Sequence, residues 1–201
     1  MFRFLNNKIQ KGFTLVEMIV VLAIFSVATV EIVDIFMMAG RAQRRALAVE
    51  RIQSDARYSM EAISHEIRMD SIDYAWYASL GGVTVPENKL ALRDADNNSI
   101  IFEKSGPNYP CPSGTGSCLL VSLDGGNNWA SITSSSNTIL DLKFYINPLI
   151  DPFTLNAYHG YDSDNQPRVT IELATQGVGV RPDEQQTVYL QTTVSSRIYR
   201  R

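Results

Sequence analysis

Glu17 is a carboxylate inside an apolar run: residues 11–30 read KGFTLVEMIVVLAIFSVATV, a lysine and a glycine followed by apolar residues with one acid among them. An acidic side chain within a membrane-spanning helix costs about 2.5–3.5 kcal/mol, so it calls for a partner. Hydrolysis of the Gly12–Phe13 bond would supply one. Phe13 would then carry a free α-amino group, protonated near neutral pH, four residues from Glu17. The chemistry on offer is therefore a cleavage followed by an ion pair in a medium of low dielectric.

Three other readings compete for the same stretch. A secretory signal sequence also has a basic start and an apolar core, and Ser26-Val27-Ala28 would serve as its small-residue cleavage site. A plain bitopic anchor needs about 20 apolar residues, and the run nearly satisfies it. A core helix of a soluble protein is the third, although unpaired carboxylates are rarely buried in cores. None of the three gives Glu17 a purpose.

The elements that must position this segment are legible from period and punctuation. From Phe13 to Leu80 there is no proline and a single glycine, Gly40, whereas all 8 prolines lie at or beyond Pro86. The upstream part reads as one helix from residue 13 to about residue 70. Its second half places Val49, Ile52, Ala56, Met60, Ile63 and Ile67 at spacings of three and four, one apolar stripe along a helix face. Arg51 with Asp55 and Arg57 with Glu61 stand at i,i+4 spacing, suited to ion pairs on the opposite face. Gly40 reads either as a kink or melted turn or as a tolerated helical glycine.

Beyond residue 85 the period becomes two. Segments 89–93, 99–104, 118–123, 138–146, 168–175 and 187–199 are rich in β-branched and large apolar residues and are separated by polar turn clusters. They predict an antiparallel, meandering set of strands whose dry face the helix stripe covers, an α+β head. The expected division is a leader at 1–12, a membrane and assembly helix at 13–40, an amphipathic helix with its connection at 41–80, and a β-rich head at 81–201.

The run Lys11-Gly12-Phe13-Thr14-Leu15-Val16-Glu17 resembles the leader and cleavage site of type IV pilins and of the pseudopilins of type II secretion. The resemblance implies that a prepilin peptidase cuts after Gly12 and that the new terminus, Phe13, is N-methylated. It also implies that Glu17, fifth in the mature chain, neutralises the terminal amine of a neighbouring subunit during assembly. The implied fold is a long helix packed on an antiparallel sheet, and the implied partners are the peptidase, other pilins or pseudopilins, and an inner-membrane assembly platform. Residues 57–68, RYSMEAISHEIR, with the closing strand, are similar to minor pilins of the PilW type and to the minor pseudopilin lettered J. The pseudopilin that caps the secretion tip usually lacks the fifth-position glutamate, which this chain keeps.

Charge and composition narrow the function classes. Loss of Arg3, Lys8 and Lys11 with the leader lowers 18 basic residues to 15 against 21 acidic ones, a net charge of −6, with no global basic face for nucleic acid. Arg41, Arg44, Arg45 and Arg51 cluster just past the apolar run, where lipid headgroups or neighbouring helices are the expected contacts. Basic residues before the run and Glu31 and Asp34 after it predict a cytoplasmic N-terminus and a head on the far side of the membrane, which the resemblance implies is a bacterial inner membrane, with the head periplasmic or extracellular. Cys111 and Cys118 are there either a disulfide or two free thiols.

No catalytic constellation and no cofactor motif is present: His65 and His159 stand outside any HExxH, and there is no GxSxG elbow or phosphate loop. Asp94, Asp96 and Asn98 copy the start of a calcium loop without its glycine and closing glutamate, and Asp162, Asp164 and Asn165 are similarly incomplete, so polar turns are expected and no metal site. Tyr74, Trp76 and Tyr77 read as packing residues or as a stacking platform. The alternative to a structural subunit is a membrane-tethered or filament-tip module whose loops 106–118 and 147–167 recognise a surface, a secreted protein or DNA.

Overall fold

The computed structural model describes residues 12–114, 116–154, 165–179, 181–182 and 185–197. The leader residues before Gly12 and residues 155–164 of the 147–167 loop, with His159, Asp162 and Asp164, lie outside them. The chain divides into two compact units, one ending at Gln43 and the other beginning at Arg44.

In the first unit the polypeptide is helical from Leu15 onward, and every residue from Gly12 to Ala39 is exposed. The helix, α1, is assigned over Leu15–Met69 and runs through Gly40 without a break. The melted-turn reading of Gly40 is thereby corrected: one glycine costs about 1 kcal/mol in a helix, too little to interrupt one this long.

The second unit is α+β. After α1 come β1 (Ser71–Ile72), α2 (Tyr74–Ser79), β2 (Lys89–Arg93), β3 (Ser99–Lys104), β4 (Leu119–Ser122), β5 (Ala130–Ser131), β6 (Asn137–Asn147), β7 (Arg168–Gly177) and β8 (Thr187–Ser195). All pairings are antiparallel. The antiparallel, meandering strands form two sheets, of five strands in the order β1-β2-β3-β4-β5 and of three in the order β6-β7-β8. A bridge of paired backbone bonds between Glu87 and Phe144, at 2.8 and 2.9 Å, joins their margins.

The core lies between the helix stripe and both sheets. Ile52, Ala56, Met60, Ile63 and Ile67 are buried as their spacing requires, with Ser59 and Ser64 beside them. Leu90, Leu92, Phe102, Leu119, Phe144, Val169 and Ile171 complete the same cluster. In β7 the odd residues Val169, Ile171, Leu173 and Thr175 are buried while Arg168, Thr170, Glu172 and Gln176 are not. Its neighbour β6 changes parity: Ile139 is inward, but so are Leu142, Phe144 and Ile146. Leu140 is the extra residue of a bulge, because Ile139 pairs with Thr175 and Asp141 with Ala174.

Polar links tie both α1 and α2 to the sheets. Asp55 Oδ2 accepts from Ser134 Oγ at 2.5 Å, Ser136 Oγ at 2.7 Å and Asn137 Nδ2 at 3.2 Å. The expected Arg51–Asp55 and Arg57–Glu61 partnerships are thus replaced: Asp55 takes head donors, and Glu61 takes Arg68 at 2.9 Å. At the other end of the helix stripe, Tyr77 is buried with its hydroxyl donating to Lys89 O (3.1 Å) and accepting from Ala91 N (2.9 Å), and its ring meets Trp76 edge-on.

Candidate processing and assembly segment

Thr14 sets where α1 begins. Its Oγ1 accepts from the Glu17 backbone N–H at 3.2 Å, and its carbonyl accepts from Met18 N at 3.2 Å. Thr14 is therefore the N-cap and Glu17 the third helical residue, the Thr-x-x-Glu spacing of a capping box. Period-based reading passes over this role. The signal was nonetheless present in the sequence as a threonine three residues before the acid.

The cap has an electrostatic corollary. At the third helical position a carboxylate lies beside the positive end of the helix dipole, a placement worth about 0.3–1 kcal/mol when exposed and more where water is excluded. Glu17 thus has a partial compensating charge within its own chain. Gly12 and Phe13 precede the cap without helical structure, and Phe13 is 76% exposed, so the bond between them is accessible. Gly12, Phe13 and Glu17 all lie within three residues of the α1 start at Leu15.

Downstream, the segment is chemically quiet. Ser26 Oγ donates to Leu22 O (2.7 Å) and Thr29 Oγ1 to Phe25 O (2.8 Å), so neither hydroxyl depends on an outside partner. Leu15, Val16, Ile19, Val20, Leu22, Ile24, Phe25 and Val27 are all exposed. The helix is long and apolar enough to cross a membrane, and in water its bare surface would be untenable.

The remaining sequence candidates fall in the head. Cys111 and Cys118 are joined in a disulfide with Cα atoms 5.7 Å apart, which closes much of the 106–118 loop. The loop is also pinned to β6, since Ser117 N donates to Thr138 Oγ1 (3.0 Å) and Thr138 Oγ1 donates to Ser117 O (3.1 Å). Gly116 has a φ of +79°, and a Cβ there would meet Thr138 Oγ1 at 2.0 Å, so only glycine fits. Asp94 accepts from Asn98 N (2.7 Å) and Asn98 Nδ2 (2.9 Å), bonds that hold its carboxyl below the ordinary value and close the β2–β3 turn. The same bonding pattern from Asn128 and Ser122 brings Asp124 down to about 2. These acids serve turns, and among the described residues no group of three or more His, Cys, Asp or Glu side chains could hold a metal ion.

One acid is in an unfavourable place. Asp70, directly after α1, is buried, its Oδ2 has no hydrogen-bond partner among the described residues, and its pKa is raised to about 6 by burial and then by the Glu66 carboxylate.

Comparison with known families matches residues 7–30 to the prokaryotic N-terminal methylation motif. No curated protein and no solved structure matches the chain.

Proposed function

From the premise that the chain carries the N-terminal methylation motif of type IV pilin-like and pseudopilin precursors, we propose that it is a minor pilin or pseudopilin, a structural subunit and not an enzyme. In this reading a prepilin peptidase cuts after Gly12 and Phe13 becomes the N-methylated terminus. The anchor holds the subunit in a bacterial inner membrane, N-terminus cytoplasmic and head periplasmic or extracellular. From there the subunit enters a type IV pilus or type II secretion pseudopilus, in an initiating or tip complex with other pilins. Residues 13–40 form the assembly element and the later part of the chain the head.

The observation that carries the reading is the carboxylate on the first turn of an apolar helical segment whose residues are exposed from Leu15 to Ala39, four residues from the bond to be cut. A free amine on Phe13 of a neighbouring copy fits Glu17 electrostatically, and an ion pair in low dielectric penalises a subunit set one turn too high or low. The Thr14 cap fixes where that carboxylate stands along the helix.

Mass spectrometry of the membrane-extracted protein tests the proposal. A mature chain beginning at methylated Phe13 is expected, and Gly12→Ala should leave the precursor uncut. A mature terminus at Met1 or Thr29 would overturn it. Glu17→Ala should be processed normally yet fail to enter filaments, and undiminished incorporation would remove the assembly role.

A further inference from the structure

The three-stranded sheet ends on a long open edge. β8 pairs with β7 from Thr187↔Gln176 to Ser195↔Arg168 with no bulge, and among the described residues nothing pairs with its other side. The other margins are managed. β1 and β5 have two residues each, and β6 is bridged by Glu87. The nine residues of β8, TVYLQTTVS, hold no charge and no proline, the usual devices that keep an edge from pairing.

The register identifies which backbone groups are available. Ser196 N donates to Pro167 O at 3.0 Å and Gly177 N to Gln186 O at 3.0 Å, so the even residues of this strand are the hydrogen-bonded partners of β7. In an antiparallel ladder the bonded and non-bonded pairs alternate. The N–H and C=O groups of Thr187, Tyr189, Gln191, Thr193 and Ser195 therefore point away from the sheet. This set is symmetric about Gln191, the midpoint of the strand.

We propose that β8 is a self-pairing interface that takes β8 of a second copy of this chain, antiparallel about Gln191, making one continuous six-stranded sheet. Gln191 would face its own copy, Tyr189 would face Thr193 of the other chain and Thr187 its Ser195, about ten backbone hydrogen bonds in all. Half-buried Val188, Leu190 and Thr192 would be covered on the inner face. Charge favours a second copy over an unrelated strand. In the sequence Asp183 and Glu184 precede the strand and Arg197, Arg200 and Arg201 follow it, a charge polarity from end to end that an antiparallel second copy complements and a parallel one does not. This inference is independent of how the N-terminal segment is processed.

Cysteine cross-linking of the full chain in mild detergent tests it, because Cys111 and Cys118 are joined and leave no native free thiol. Gln191→Cys should give, under mild oxidation, a species of twice the monomer mass linked through residue 191 of both copies, since Cα atoms in a directly opposed bonded pair are about 5.5 Å apart. Thr193→Cys should give none, its copies being about 14 Å apart in this register. Gln191→Pro removes only an outward N–H and should yield a monomer with the wild-type melting temperature. Should proline lower that temperature, Gln191→Lys, which opposes two like charges, supplies the same readout. No cross-link at 191, a link to a different protein, a link at 193 alone, or a dimer that survives both substitutions would overturn the proposal.

Discussion

Residues 15–43 and 44–69 belong to one helix, yet the first stretch exposes every apolar side chain while the second buries a stripe of them. Both contain Ile, Met and Ala, and both obey the same backbone geometry. They differ in what surrounds them. In 44–69 charged residues fill the positions between Ile52, Ala56, Met60, Ile63 and Ile67, so one face must find the sheets; in 15–43 apolar residues lie on all sides, and no single sheet could satisfy them. A helix apolar all round is made for lipid or for a bundle of its own kind.

Substitutions along the helix can break or sharpen this contrast. The largest effect is expected from Ile63→Ala, which empties a fully buried site and should cost about 2–5 kcal/mol. Ile24→Ala, the same change on bare helix, should leave the melting temperature of the head within a degree; a comparable loss at both positions would erase the distinction. Next comes the paired Cys111→Ala, Cys118→Ala change, expected to cost about 2–3 kcal/mol by freeing a short loop in the unfolded chain, read by thermal unfolding with and without reductant. Asp55→Ala should cost about 1–3 kcal/mol, because it strips the acceptor from two hydroxyls and an amide at once. Glu17→Ala, the acid of the exposed stretch, should not move the head's unfolding at all.

One effect is a gain and depends on pH. The folded pKa of Asp70 is raised to about 6 from 3.8, so the folded state holds its proton more tightly than the unfolded state. Stability from this group is fully present below about pH 4 and is lost as pH rises through 6. Glu66 and Asp94 oppose its ionisation, and His65 favours it. Asp70→Asn should therefore raise the melting temperature at pH 7–8 and change it little at pH 4. An equal shift at both values would show that packing, not charge, is responsible.

Much of the head was legible because its strands alternate. The two-residue period located β2, β3, β6, β7 and the start of β8 to within a residue or two, and three- and four-residue spacing picked out the buried helix stripe. The N-terminal motif was readable because five residue types stand in fixed order, a purely local pattern. What escaped was set by contacts distant in sequence. Asp55 prefers Ser134, Ser136 and Asn137, some eighty residues away, to Arg51 beside it, since an acid facing the sheet cannot also reach round the helix. The division into two sheets is set by which strands pair, a long-range matter, and β1, β5 and α2 are too short to leave a period. Thr14 was passed over because a hydroxyl in an apolar run draws less notice than the acid it caps.

The bulge at Leu140 gives β6 a frameshift of its own. Before it, odd-numbered side chains face inward; after it, even-numbered ones do. Deleting any single residue from 142 to 146 would put the inward residues on its two sides out of phase, whereas deleting Leu140 or Asp141 would leave Asn137, Ile139, Leu142, Phe144 and Ile146 all in phase. Of the two positions where this strand can be shortened without inverting its faces, Leu140 is the residue whose carbonyl accepts Lys104 Nζ at 2.6 Å. The local loss there would be that contact and the added twist, not the core.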